Sequence, residues 1–124
     1  MSRRPILKPY KVIDNVSMAG NIISAVTVVS QLTMISYDIT WAGTTPVGVM
    51  SVELSNSYSL NVDGSVRNAG DWTTLTLSST PSVSGNTGHG FIDIDATGAY
   101  AMRLVYTRTS GTGVMNAVIN AKVA

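Results

Sequence analysis

A two-residue period runs through most of this chain. Ile35, Tyr37, Ile39 and Trp41 alternate with Ser36, Asp38 and Thr40. Met50, Val52 and Leu54 alternate with Ser51, Glu53 and Ser55. Met102, Leu104 and Tyr106 repeat the pattern, as do Met115, Ala117, Ile119, Ala121 and Val123. Side chains on a β-strand point alternately to opposite faces, so this spacing predicts half-buried strands with these apolar residues inward. Shorter candidates are Ile22–Val29, Trp72–Leu77 and Phe91–Ile94. Val, Ile, Thr and Tyr dominate these runs, in line with strand propensity. No window carries the 3.6-residue apolar stripe of an amphipathic helix of ten or more residues.

Turn chemistry falls between the runs. Gly43-Thr44-Thr45-Pro46 separates two of them, and Asp63-Gly64 suits a tight primed turn. Pro81–Gly90 reads as a Ser/Gly-rich loop. Gly111-Thr112-Gly113 predicts a hairpin between strands 99–109 and 114–123. Seven or eight short strands at this spacing predict an all-β protein: an antiparallel β-sandwich, jelly-roll-like, with an extended N-terminal arm. The expected organisation is an arm over residues 1–13 and a single sandwich domain over 14–124.

Charge is unevenly distributed. Residues 1–11 hold Arg3, Arg4, Lys8 and Lys11 and no acid, a charge of +4. Residues 12–124 hold four basic residues against seven acidic ones, a charge of −3. Pro5 and Pro9 favour an extended path for the arm. Ile6, Leu7 and Tyr10 need apolar cover. The arm therefore reads as a strap on a neighbouring acidic subunit, with Arg3, Arg4, Pro5, Ile6, Leu7, Lys8 and Tyr10 as interface residues. The competing reading is a frayed terminus. A signal peptide is not expected, because Asp14 and Asn15 interrupt the transition to the apolar run and no small-residue cleavage site follows. No stretch reaches the 18 or so apolar residues of a membrane helix, so a membrane is not an expected partner.

The 124 residues make one ordinary domain, with 44% hydrophobic and only 12% charged residues. The absence of cysteine excludes a disulfide scaffold, a thiolate metal site and a cysteine nucleophile. The one histidine, His89, sits between Gly88 and Gly90, a setting too loose to orient a catalytic base. Asp93 and Asp95 share one face of a predicted strand. They lack the Asp/Asn/Gly-dense loop of a calcium site and are too close in register to straddle a sugar ring. A solvated outer face, with Phe91, Ile92 and Ile94 anchoring the strand, is the plainer reading. The Gly-x-Gly pairs at 88–90 and 111–113 open no helix and precede no lysine, so they read as turn glycines. The chain is thus expected to be no enzyme and to carry no metal or cofactor. Nucleic acid is not an expected partner, because basic residues outside the arm are outnumbered.

Several segments carry a resemblance. They are the stretch Asp14–Asn21, the run Asn68–Leu77, the run Phe91–Ile94 and the run Met102–Gly113. Together they resemble a group of small β-sandwich proteins encoded among tailed-phage structural genes. The resemblance implies a virion component made in the host cytoplasm: a capsid decoration or cementing protein, or a head or tail accessory protein. It implies the major capsid protein or another virion protein as partner, and a homo-oligomer. Low charge and abundant Ser, Thr and Gly suit a surface packed against other proteins, since uncharged polar groups cost less to bury than ions. The alternative is a carbohydrate-binding module that uses surface aromatics on the sandwich, with Tyr58, Trp72 and Tyr100 as its candidates.

Overall fold

A computed structural model describes residues 6–29, 32–77, 82–95 and 99–122. Ten strands follow in order: β1 (Ile6–Ser17), β2 (Ile22–Ile23), β3 (Thr27–Val28), β4 (Met34–Ser55), β5 (Ser59–Leu60), β6 (Val66–Asn68), β7 (Thr73–Thr74), β8 (Ser82–Val83), β9 (Thr87–Asp95) and β10 (Ala101–Lys122). Every pairing is antiparallel.

The framework is a single pair of 22-residue strands. β4 and β10 run against each other from Met34↔Lys122 to Ser55↔Ala101. Their first and second halves belong to different layers. The first half of β4 and the second half of β10 are flanked by β9 and β1, giving the layer β1–β10–β4–β9. The other halves are flanked by β2 and β3 on the β10 side and by β7 and β8 on the β4 side. The two four-stranded layers close over one core, as in sandwiches whose corners are made by strands that change sheet. The fold is an all-β, antiparallel sandwich, as the alternation predicts.

The bend explains the side-chain phases. In the first half of β4 the buried residues are odd-numbered: Ile35, Tyr37, Ile39 and Trp41. In the second half the buried apolar residues are even-numbered, Met50 and Val52 among them. β10 flips in step, from Met102, Leu104 and Tyr106 to Met115, Ala117, Ile119 and Ala121. The flip falls where the register is irregular, between Arg108 and Thr112 of β10. There Thr45 has φ 44° and Gly111 has φ 81°. Each strand takes one left-handed residue, so the two bulges compensate and the pairing resumes in register.

Several expectations are corrected here. Gly111-Thr112-Gly113 is no hairpin turn: the chain continues straight on as β10, and both of its halves pair with β4. Gly43–Pro46 likewise bends a strand without ending it. The segment read as a loop from Pro81 holds β8 and the start of β9; Pro81 itself lies outside the described residues. Gly88 is a strand glycine, where an added Cβ would overlap the ring of Trp41. Phe91 does not anchor its strand from within; it is 58% exposed, while Ile92 and Ile94 are buried. The runs 22–29 and 72–77 contribute only two-residue strands.

The arm boundary at residue 13 is also corrected. β1 starts at Ile6 and pairs with β10 of the same chain, from Ile6↔Lys122 to Ser17↔Val114. Val12 and Ile13 are core residues. Apolar cover for Val12 and Ile13 comes from their own domain. Burying a side chain such as Ile13 contributes about 1.5–3 kcal/mol to holding this strand.

Candidate interaction surfaces

Of the expected interface residues, Arg3, Arg4 and Pro5 lie outside the described residues. Ile6, Leu7 and Lys8 are backbone members of β1, with Ile6 opposite Lys122 and Leu7 opposite Ala121. Tyr10 pairs with Ile119, and its hydroxyl shares a 2.5 Å hydrogen bond with the hydroxyl of the buried Thr27. It links one layer to the other at the rim. Lys11 reaches Asp14 and the side-chain oxygen of Asn116, each at 3.4 Å. Tyr10 and Lys11 thus direct their polar groups to partners within the domain.

His89 lies in β9, opposite Thr40, and its Nε2 meets Oδ1 of Asp38. Both side chains are more than half exposed. Asp93 lies four residues further along on the same face, also exposed. Among the described residues no group of three or more His, Cys, Asp or Glu side chains is placed to hold a metal ion.

The outer face of the second layer has a different character. Ile23 stands opposite Val105, Val105 opposite Ser51, and Thr107 opposite Val49. Ile23 is 60% exposed and Val49 42%. The charges on this face, Arg103 and Glu53, are a cross-strand pair that neutralise each other at 2.7 Å. The Arg103 guanidinium lies 4.2 Å from the ring centre of Trp72, and Tyr58 packs on Trp72 at 5.9 Å with the rings tilted by 55°. Trp72 also donates its Nε1 hydrogen to the Ala69 carbonyl at 2.8 Å. Two of the aromatics that the sugar-binding alternative needs are therefore tied into a structural cluster. No motif in the sequence announces this cluster; only the pairing of Glu53 with Arg103 brings it together.

A small two-stranded hairpin, β5–β6, carries exposed Leu60, Val62 and Val66. Its tip is held by Asn61 N–H donating to the Ser65 carbonyl and by the Ser65 N–H and hydroxyl both donating to Asp63. The Ser65 donors hold the Asp63 carboxyl below its ordinary range. Asp63-Gly64 does form a turn, with Gly64 at φ 90°. An open hollow of about 520 Å³ lies between Leu54, Ser55, Asn56, Asp71 and Ala99.

No protein-family model matches this chain, and neither does any curated protein. Its matches among solved structures include the following two. One is the crystal structure of the SPBc2 prophage-derived protein YomS, at 9% identity and TM-score 0.48 over 97% of this chain and 96% of that one. The other is a chain in the structure of infectious bursal disease virus Gx strain, at 7% identity and TM-score 0.53. It is covered over 32% of its length and covers 98% of this chain. The second likeness, at 7% identity, is one of fold alone.

Proposed function

We propose that this chain is a non-enzymatic structural component of a phage virion, a capsid decoration or cementing protein or a head or tail accessory protein. It acts by adhering to neighbouring subunits. The observation that carries the reading is the outer face of the second layer. This sheet surface presents Ile23, Val49 and Val105, with hydroxyls between them and its ion pair neutralised internally. Covering such a face costs little desolvation of charge and gains apolar burial, the chemistry of a protein–protein contact. Repetition around a symmetric shell multiplies modest contacts into stable attachment. The fold shared with a chain in a virus structure supports the same reading. The basic leader, with Arg3 and Arg4, adds electrostatic attraction to an acidic neighbour.

The test is attachment of the purified full-length chain to particles of its phage that lack it. Wild type bands with particles in a density gradient, Val49→Asp loses most of that occupancy, and deletion of residues 1–5 weakens it in a salt-dependent way. Equal occupancy for Val49→Asp and wild type contradicts the assignment of the face.

A further inference from the structure

We propose that the free edge of β9 pairs with the same edge of a second copy, antiparallel and centred on Phe91, joining two sandwiches through one continuous sheet. The inference concerns the isolated chain and stands whether or not the chain is found on a particle.

A strand edge carries unpaired N–H and C=O groups and invites another strand unless it is blunted. The edges of this sandwich differ sharply in protection. β1 carries Pro9, Lys8 and Lys11, and its register breaks three times. The edges of the second layer are two-residue pieces. β9 has none of these devices. It pairs with β4 over nine successive positions without a break, and it contains no proline, lysine or arginine. Among the described residues nothing pairs with its other side.

The side chains select both partner and register. His89, Phe91 and Asp93 are exposed on one face of β9. A two-fold axis through Phe91 sets the two Phe91 rings side by side and His89 of each copy opposite Asp93 of the other. Each dimer then gains one aromatic cross-strand pair and two equivalent contacts of opposite polarity, which are the pairings that stabilise antiparallel sheets. An axis one residue earlier sets His89 against Phe91, and one residue later sets Phe91 against Asp93; both forfeit the match. The functional groups are available. The Nε2 of His89 meets Asp38, which leaves Nδ1 for the second copy, and the Asp93 carboxylate has no partner among the described residues. On the inner face Ile92 meets Gly90 of the other copy, a large side chain against none. A two-fold contact of this kind is self-complementary and closes on itself, so it ends at the dimer.

The chain has no cysteine, so a single introduced thiol reports the geometry directly. Phe91→Cys brings two thiols into disulfide range across the axis, and mild oxidation gives a covalent dimer. Val114→Cys is the control: Val114 is exposed on a different strand, and this variant forms no disulfide-linked dimer. Sedimentation of wild type gives twice the chain mass, and Phe91→Lys, which sets two cations side by side, raises the dimer Kd by at least about tenfold. A wild-type mass of one chain overturns the proposal. So does a dimer indifferent to Phe91→Lys, or a Phe91→Cys variant that cross-links no faster than Val114→Cys.

Discussion

Gly111 and Thr45 meet at the bend of the long strand pair, both with left-handed backbone, at φ 81° and 44°. A Cβ on Gly111 would overlap the Thr45 carbonyl and stand 2.7 Å from the Pro46 Cα. The opposition of these two residues turns one ribbon of paired strands into two layers. Asn86 braces it, accepting from Gly43 N–H at 2.7 Å through its carbonyl and from Thr45 N–H at 2.9 Å through its side chain.

The two residues respond oppositely to substitution. Gly111→Ala adds both backbone strain and a collision with main chain, and destabilises the fold by about 3 kcal/mol. Thr45→Gly removes a β-branched residue from a conformation it resists and stabilises by roughly 1 kcal/mol. Urea unfolding of both variants measures the difference. Equal effects would mean that the bend does not depend on this pair.

Gly88 makes room for Trp41. A Cβ there would fall 2.9 Å from Trp41 Nε1 and closer still to the ring carbons. Gly88→Ala therefore displaces a core indole, at a cost of about 2–3 kcal/mol, and shifts the tryptophan emission. An unchanged spectrum and an unchanged urea midpoint contradict this packing.

Tyr37 is fully buried, and its hydroxyl has no hydrogen-bond partner among the described residues. Burial pushes its phenol well above the ordinary value of 10.0. The folded state thus holds the proton more tightly than the unfolded chain. Stability from this group is complete below pH 10 and is lost as pH rises beyond it. Burial raises Tyr106 as well, so Tyr37→Phe makes the alkaline slope shallower without abolishing it. Near neutral pH the same variant removes an unsatisfied hydroxyl and leaves stability unchanged or raises it by up to about 1 kcal/mol. Loss of several kcal/mol at neutral pH would reveal a hydrogen bond to that hydroxyl.

Arg103 joins Glu53 to Trp72, and both ends of the ion pair are about one-fifth exposed. Arg103→Ala removes a partly shielded ion pair and a cation–π contact together, for a loss of about 1–2 kcal/mol. It also uncovers Trp72, which acrylamide quenching detects. On a glycan array, wild type shows no binding that depends on Trp72, because the indole serves the cluster. Specific binding abolished by Trp72→Ala would restore the sugar-binding alternative.

The alternation at Ile35–Trp41 and at Met115–Ala121 was enough to read the class of fold and most of the core from the chain. Each half-strand keeps its own period. The bend was misread because Gly111 and Gly113 carry the same signal whether a chain reverses or merely kinks. The deciding fact is non-local: both halves of β10 find their partners in β4, from Ser55 opposite Ala101 to Met34 opposite Lys122. The arm was misread for a related reason. Pro9 and the basic residues disfavour helix but do not forbid an edge strand, and Val12 and Ile13 carry too short an apolar pattern to announce one. The outer face of the second layer was legible only residue by residue, because Ile23, Val49 and Val105 lie far apart in sequence until the pairing assembles them.

The most direct test of the proposed virion role is cryo-electron microscopy of purified phage particles assembled with this chain. The account predicts density for a two-layer sandwich at symmetry-related positions, with Ile23, Val49 and Val105 against a neighbouring subunit. Particles that lack the chain altogether, or that carry it with this face open to solvent, would contradict it.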